Sequence, residues 1–190
     1  NVSRLLLTPD SYRRQRVNDY LEGLNRRSGS LAIYVMDTDG RVVATSNWRQ
    51  ADSYLGEDLS FRAYFQDAIL GESGRFYGIG STVGEAGYYL SHGLKANGRI
   101  IGVAVVKIRL EALEQRWQRA RLEAYVSDEN GIIILSSNPE RRLKAVRPLN
   151  AEIKERLARS LQYHWSSLDE LIPLARTALG NGAEHVTFAA

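Results

Sequence analysis

The feature that most constrains this chain is a sentence written twice. Residues 34–47 read YVMDTDGRVVATSN, and residues 125–138 read YVSDENGIIILSSN. They align without a gap and share Tyr34/Tyr125, Val35/Val126, Asp37/Asp128, Gly40/Gly131, Ser46/Ser137 and Asn47/Asn138. In each, an acidic turn ending in glycine separates two runs rich in β-branched residues, which is the pattern of a β-hairpin. Two related hairpins predict two related units in tandem.

The flanking segments fill in both units. Thr8-Pro9-Asp10 reads as a helix start, with the Thr8 hydroxyl as cap and Pro9 at the first helical position, followed by Val17, Tyr20, Leu21 and Leu24 at helical spacing and Gly29 as the stop. That predicts a helix over 9–28 whose narrow apolar stripe suits one partner, such as the same helix of a second copy. After the first hairpin, Asp58 or Ser60 is placed to cap a helix that presents Phe61, Tyr64, Phe65, Ala68 and Ile69 on one face. GRFYGIGST then reads as a glycine-broken strand, and GYYLSHGLK and RIIGVAVVKIRL as strands joined at Asn97-Gly98. EALEQRWQRA is a short helical connector to the second hairpin. Asn150 caps a further helix, SSLDELIPLART predicts another amphipathic turn or two that Gly180-Asn181-Gly182 breaks, and AEHVTFAA a last strand. The predicted class is α+β: a long N-terminal helix (1–29), a first unit with an antiparallel sheet (30–112), and a connector with a second such unit (113–190).

Composition narrows the function. A chain of 190 residues, 44% hydrophobic and 25% charged, suits a folded protein of one large or two small domains. With no cysteine, disulfides, thiolate metal sites and thiol catalysis are excluded. The net charge of +3 comes from scattered clusters such as RRQR at 13–16, without interleaved stacking aromatics or a known module. Solvated faces, not nucleic-acid binding, account for them, with an anionic membrane surface as the lesser alternative. No apolar run reaches the length of a membrane span and no signal peptide is visible, and the abrupt ends NVSRLLL and EHVTFAA suggest a piece of something longer.

Familiar catalytic and cofactor motifs fall away on inspection. DTDG lacks the first acid of a calcium loop, because Val35 occupies that place. GIGSTVG has strands on both sides, whereas a dinucleotide loop must open a helix. His92, His164 and His185 have no metal-ligand spacing, and no nucleophile elbow is present. No cofactor, metal or enzymatic activity is expected of this chain.

Two cations in unusual places remain. Arg62 is expected in the first helical turn, where the macrodipole disfavours positive charge, beside Phe61 and Phe65. Lys107 shares a strand face with Val103 and Val105, which is costly unless it meets water or an anion. Either could be a long side chain laid over the core with its head in solvent. Together they could bracket a dianion, with Ser81, Thr82 and Ser91 as hydroxyl donors and Tyr64, Tyr88 and Tyr89 as walls.

SNW (46–48), FRAYF (61–65), GIGSTVGEAGYYLSHGL (78–94) and IIGVAVVKIRLEALEQRW (100–117) resemble the periplasmic sensor region of bacterial C4-dicarboxylate sensor histidine kinases of the DctB type. The resemblance covers residues 30–120 and is weaker beyond. It implies a tandem PAS-like (double Cache) fold in which the membrane-distal unit binds ligand and the proximal unit relays the signal to a cytoplasmic kinase. It implies that Arg62 and Lys107 clamp the two carboxylates, with Thr82 and Ser91 as further contacts and Tyr64, Ser81, Tyr88 and Tyr89 as additional ones. It also implies a homodimer through the N-terminal helix, and attachment to the inner membrane through spans outside this chain. Leu59 departs from an aromatic found in some members, which could admit a longer acid such as 2-oxoglutarate. Related amino-acid receptors carry an aspartate where Lys107 stands, so the charge favours a second carboxylate over an α-amine. A chemoreceptor with the same pocket is the competing expectation, and the Gly-rich YGIGSTVGEAG the expected mobile lid.

Overall fold

The computed structural model describes residues 2–80, 85–163 and 166–188. The chain divides into two units: residues 1–109 with 158–164, and residues 110–157 with 165–190.

The first unit opens with two helices, α1 (Val2–Leu7) and α2 (Ser11–Ser28). The start of α2 differs in detail from expectation. Asp10, not Thr8, is the N-cap, and its carboxylate accepts from the Arg13 amide. The Thr8 hydroxyl instead donates back to the Arg4 carbonyl, at the end of α1. Gly29 closes α2 in the left-handed conformation at φ 68°, as its position predicted.

Five strands follow: β1 (Ala32–Met36), β2 (Val42–Thr45), β3 (Ser73–Ile79), β4 (Ala86–Ala96) and β5 (Arg99–Ile108). They form one antiparallel sheet in the order β2-β1-β5-β4-β3. Helix α3 (Ala63–Ile69) crosses between β2 and β3. Side chains alternate across a strand, and here both faces are covered. Ile33 and Val35 join Leu5, Val17 and Leu21 of α1 and α2, while Ala32, Tyr34 and Met36 join Tyr64, Phe65 and Ala68 of α3. All five β1 residues are therefore buried. Asn97 and Gly98 turn β4 into β5 with φ of 49° and 76°, the double left-handed geometry of a two-residue hairpin.

The second unit contains α4 (Glu111–Arg119), β6 (Tyr125–Ser127), β7 (Ile133–Ser136), α5 (Ala151–Ser160, whose last residues fall in the first unit), β8 (Ala175–Gly180) and β9 (Ala183–Thr187). β6–β7 and β8–β9 are separate two-stranded sheets. The expected amphipathic turns in SSLDELIPLART do not form. Glu170 makes a bridge to Ala145, and residues 175–177 already belong to β8. Pro173 removes a backbone donor that a helix there would need. Gly180-Asn181-Gly182, read as a helix breaker, is the turn of a hairpin.

The repeated sentence is resolved atom by atom. Asp37 Oδ1 accepts from the amides of Asp39 and Arg41, and Asp128 Oδ1 from those of Asn130 and Ile132. Gly40 and Gly131 have φ of 85° and 81°. Ser46 Oγ accepts from the Ile33 amide and Ser137 Oγ from the Ala124 amide, thirteen residues upstream in each case. The shared aspartate, glycine and serine thus serve the backbone of their own hairpin in each copy.

Gly40 also permits a close approach: a Cβ there would stand 2.5 Å from the Ser60 Cα. Gly98 has a similar φ, but nothing lies within 4 Å of its absent Cβ. Gly98→Ala should therefore cost only the left-handed strain, about 1–2 kcal/mol. Gly40→Ala should cost clearly more, read as the difference in urea midpoint between the two variants.

Candidate functional site

The site is built on the α3-facing side of the first sheet. Two rows of paired residues cross it. One runs Ala32, Lys107, Tyr89, Phe76, and the next Tyr34, Val105, Ser91, Gly74. The period of two that buries Val103 and Val105 also points Lys107 inward, and it is 1% exposed. Two glycines make room for it. A Cβ on Gly87 would lie 2.5 Å from Lys107 Cε, and one on Gly80 3.3 Å from its Nζ. The ammonium donates to the Glu85 carbonyl at 3.0 Å and the Tyr54 hydroxyl at 3.4 Å, and lies 5.5 Å from the Tyr89 ring centre. The Glu85 carboxylate stands 4.0 Å away and is engaged more closely by Arg109, at 2.9 Å.

Arg62 enters from the other side. It is the N-cap residue of α3, not part of its first turn, and no side chain caps this helix. Asp58 instead accepts from the Ser60 amide, and hydrogen bonding from the Ser60 hydroxyl, then from its amide, lowers the carboxyl pKa. The extended backbone at Arg62 turns its side chain into the interior, where it is 2% exposed. Its guanidinium donates to the carbonyls of Ile79 (3.1 Å), Ser160 (3.3 Å) and Leu161 (2.9 Å). It also lies 5.1 Å from the Phe61 ring centre and 5.8 Å from that of Phe76. Among the described residues no carboxylate pairs with it. Burying a cation costs several kcal/mol, and neutral carbonyls and ring faces offset this only in part. Arg62 and Lys107 thus converge on one piece of chain: Arg62 on the Ile79 carbonyl, Lys107 on the space above Gly80.

Between them is a nest of phenols. Tyr34 and Tyr64 share a hydrogen bond of 2.8 Å, Tyr64 stacks on Tyr89 at 5.1 Å, and Tyr34 on Tyr54 at 5.2 Å. Desolvation pushes the Tyr54 and Tyr64 hydroxyls up to about 12, and those of Tyr34 and Tyr89 well above their usual value. They stay protonated donors and acceptors at any physiological pH. The arrangement offers two positive heads and neutral hydroxyls in a desolvated setting, which suits a small anion.

Of the expected site residues, the structure gathers Arg62, Lys107, Tyr64, Tyr89 and Ser91. The Ser91 hydroxyl donates to the Tyr64 carbonyl at 2.6 Å, pinning the first turn of α3 to β4. Tyr88 points to the opposite face from Tyr89, because neighbours on a strand alternate. Ser81 and Thr82 lie outside the described residues, as do Val83 and Gly84 of the expected lid. Tyr34, Tyr54, Phe76 and Glu85 were not anticipated. Tyr34 sat in the repeat and so read as a fold residue, and Tyr54 lies in a segment without periodicity. For Glu85, the available signal was an acid two residues before a strand glycine.

An antiparallel sheet in this order, with a helix over a buried polar face, defines a PAS-like sensor domain of the Cache type. No protein-family model matches the chain. The "C4-dicarboxylate transport sensor protein DctB" of Pseudomonas aeruginosa is 38% identical over 146 residues, 77% of this chain and 24% of the relative. The crystal structure of the Vibrio cholerae histidine kinase DctB sensor domain superposes with a TM-score of 0.80 at 30% identity, covering 93% of this chain and 67% of that one. The chain belongs to the DctB sensor family, and spans about a quarter of the length of the curated relatives it matches. The ligand-binding domain of the Pseudomonas aeruginosa amino-acid chemoreceptor PctC, in complex with GABA, shares the fold at TM-score 0.58 and 23% identity.

The phenol nest makes the fold sensitive to base. A tyrosine whose folded pKa is raised contributes stability that is complete below its unfolded value near 10 and is lost as pH climbs toward the folded value. Unfolding should therefore begin above about pH 10 and proceed toward about pH 12, where Tyr54 and Tyr64 would ionise in the folded state. Phenolate absorbance should rise together with loss of circular dichroism. Early, non-cooperative titration of all ten tyrosines in a folded protein would contradict this.

Proposed function

We propose that the first unit is the ligand-binding, membrane-distal half of a periplasmic sensor domain, and that it holds a C4-dicarboxylate between Arg62 and Lys107. Succinate, fumarate and malate are the ligands in view. The observation that carries the reading is a buried guanidinium with no carboxylate partner among the described residues, converging with a buried ammonium on the Ile79–Gly80 segment. A dicarboxylate would place one charge at each cation, with the protonated phenols of Tyr64 and Tyr89 on its flank. Leu59 packs in the same cluster as Tyr54 and Tyr64, and its size sets how much longer an acid, such as 2-oxoglutarate, the site admits.

The second unit is then the membrane-proximal relay, and the output is a histidine kinase that governs dicarboxylate transport. The relatives' names and the similarity to the Vibrio cholerae sensor domain support the kinase over a chemoreceptor, for which the likeness extends to fold alone. Among the described residues no helix is long and apolar enough to cross a membrane; inner-membrane attachment is part of the reading that the relatives' names support. Tyr12 and Tyr20 of α2 are 67% and 57% exposed, which suits a homodimer through that helix.

Titration calorimetry tests the clamp. Succinate should bind, and butyrate, with one carboxylate, should bind far more weakly because it leaves a buried cation unpaired. Arg62→Ala and Lys107→Ala should each remove about 1.5–3 kcal/mol of binding or more, whereas Asp128→Ala in the second hairpin should leave affinity unchanged. Equal binding of succinate and butyrate would sink the dicarboxylate reading.

A further inference from the structure

We propose that Arg62 is shared between the ligand site and the C-terminal end of α5, so that a carboxylate reaching Arg62 loosens that helix end. The coupling rests on the dicarboxylate reading; the cap does not.

The last carbonyls of an α-helix have no intrahelical partner and need one from elsewhere. Many helices end with glycine in the left-handed conformation, which satisfies them locally. In α5 that place is taken by Leu161, at φ 49°, a conformation that L side chains resist. The carbonyls of Ser160 and Leu161 receive the Arg62 guanidinium instead, from 98 and 99 residues earlier in the sequence. A cation at this end also meets the negative pole of the helix dipole. Arg62 thus does for α5 what a terminal glycine does elsewhere, and α5 supplies part of the compensation that this buried cation lacks.

The turn after α5 is fastened to the strand that leads into the site. The Ile79 amide donates to the Gln162 carbonyl at 2.8 Å, and the Gln162 side-chain amide donates to the Tyr77 carbonyl at 2.9 Å. A side chain on Gly78 would strike the Gln162 carbonyl, its Cβ standing 2.6 Å away. Gln162 and Tyr163 are buried in consequence. One guanidinium therefore joins the end of α5 to the strand end beside the Lys107 ammonium.

A carboxylate is a stronger acceptor than an amide carbonyl and takes a guanidinium best in a two-pronged grip. The terminal nitrogens of Arg62 are committed to carbonyls, Nη1 to two of them and Nη2 to one. Ligand and helix end compete for these donors. When the ligand takes them, Leu161 keeps its strained conformation without its partner, and the end of α5 frays. Residues 151–157 of the same helix belong to the second unit, so the loosening acts on an element common to both. Linkage requires the reverse effect: loosening the turn must raise ligand affinity.

Hydrogen exchange of the 190-residue chain decides the matter in two arms, with α2 as internal reference. Without ligand, Arg62→Gln should speed exchange across residues 158–163 relative to the unsubstituted chain; unchanged exchange there overturns the cap. With saturating succinate, the unsubstituted chain should show the same acceleration; unchanged or slower exchange overturns the competition. Calorimetry adds an independent sign. Gln162→Ala, which weakens the turn, should bind succinate more tightly, by roughly fivefold or more, whereas a purely supportive turn would give weaker or equal binding. If succinate does not bind at all, the dicarboxylate reading and the coupling fall together, and the ligand-free arm still decides the cap.

Discussion

A guanidinium held out of water, with no carboxylate partner among the described residues, is the constraint around which the first unit is arranged. Isolated burial of such a charge costs several kcal/mol even after relaxation. Arg62 offsets part of this with three carbonyls, two aromatic faces and the negative end of a helix. Each of these requires something of the rest of the fold. The Ile79 carbonyl must lie at the end of β3, Phe76 must face inward on that strand, and the chain must return at residue 160 to present two more acceptors. Replacing both cations with apolar residues would remove the cost, and the proposed dicarboxylate would give that expense a reason.

Lys107 shows how a strand manages a charge where sequence alone suggests a defect. Its stem runs over Gly87 and its head toward Gly80, so two missing side chains create the channel it occupies. The neighbouring phenols cannot neutralise it, because burial keeps them protonated. They can only orient hydrogen bonds, as Tyr54 does. A site of this kind presents positive charge through fixed geometry.

What was legible in the sequence follows the range of the interactions involved. The hairpins, the Asn97-Gly98 turn, the Gly29 cap and the inward direction of Lys107 depend on neighbours within a few residues, and all are present. The cap of α3 was misplaced because Asp58 is a good capping residue that forms a local turn with Ser60 before the helix starts. SSLDELIPLART carries an apolar spacing compatible with a helix, yet bridges to Ala145 and pairing with β9 override it. The partners of Arg62 at residues 160 and 161 leave no local trace, since a backbone carbonyl is offered by every residue type. The Tyr34–Tyr64 bond was hidden for another reason: Tyr34 has a counterpart in Tyr125, and a shared residue reads as structural.

That last case separates the two copies of the repeat. The aspartate, glycine and serine of each copy bond or turn their own hairpin at matching places, so they specify a shape wherever they occur. Tyr34 faces α3 and a complete sheet, and becomes part of a site. Tyr125 is only partly buried and meets Phe188 at 5.9 Å. The difference lies in the strand between. In the first unit β5 runs between β1 and β4 and carries Lys107. In the second, among the described residues, β6 and β9 instead line a cavity of about 820 Å³ together with Arg141, Arg147 and Arg176. The buried Lys107 of the first unit sits on a central strand that has no described counterpart in the second. Two copies of one hairpin therefore fix two related frames, while the pair of buried cations in the first depends on elements that the repeat does not include.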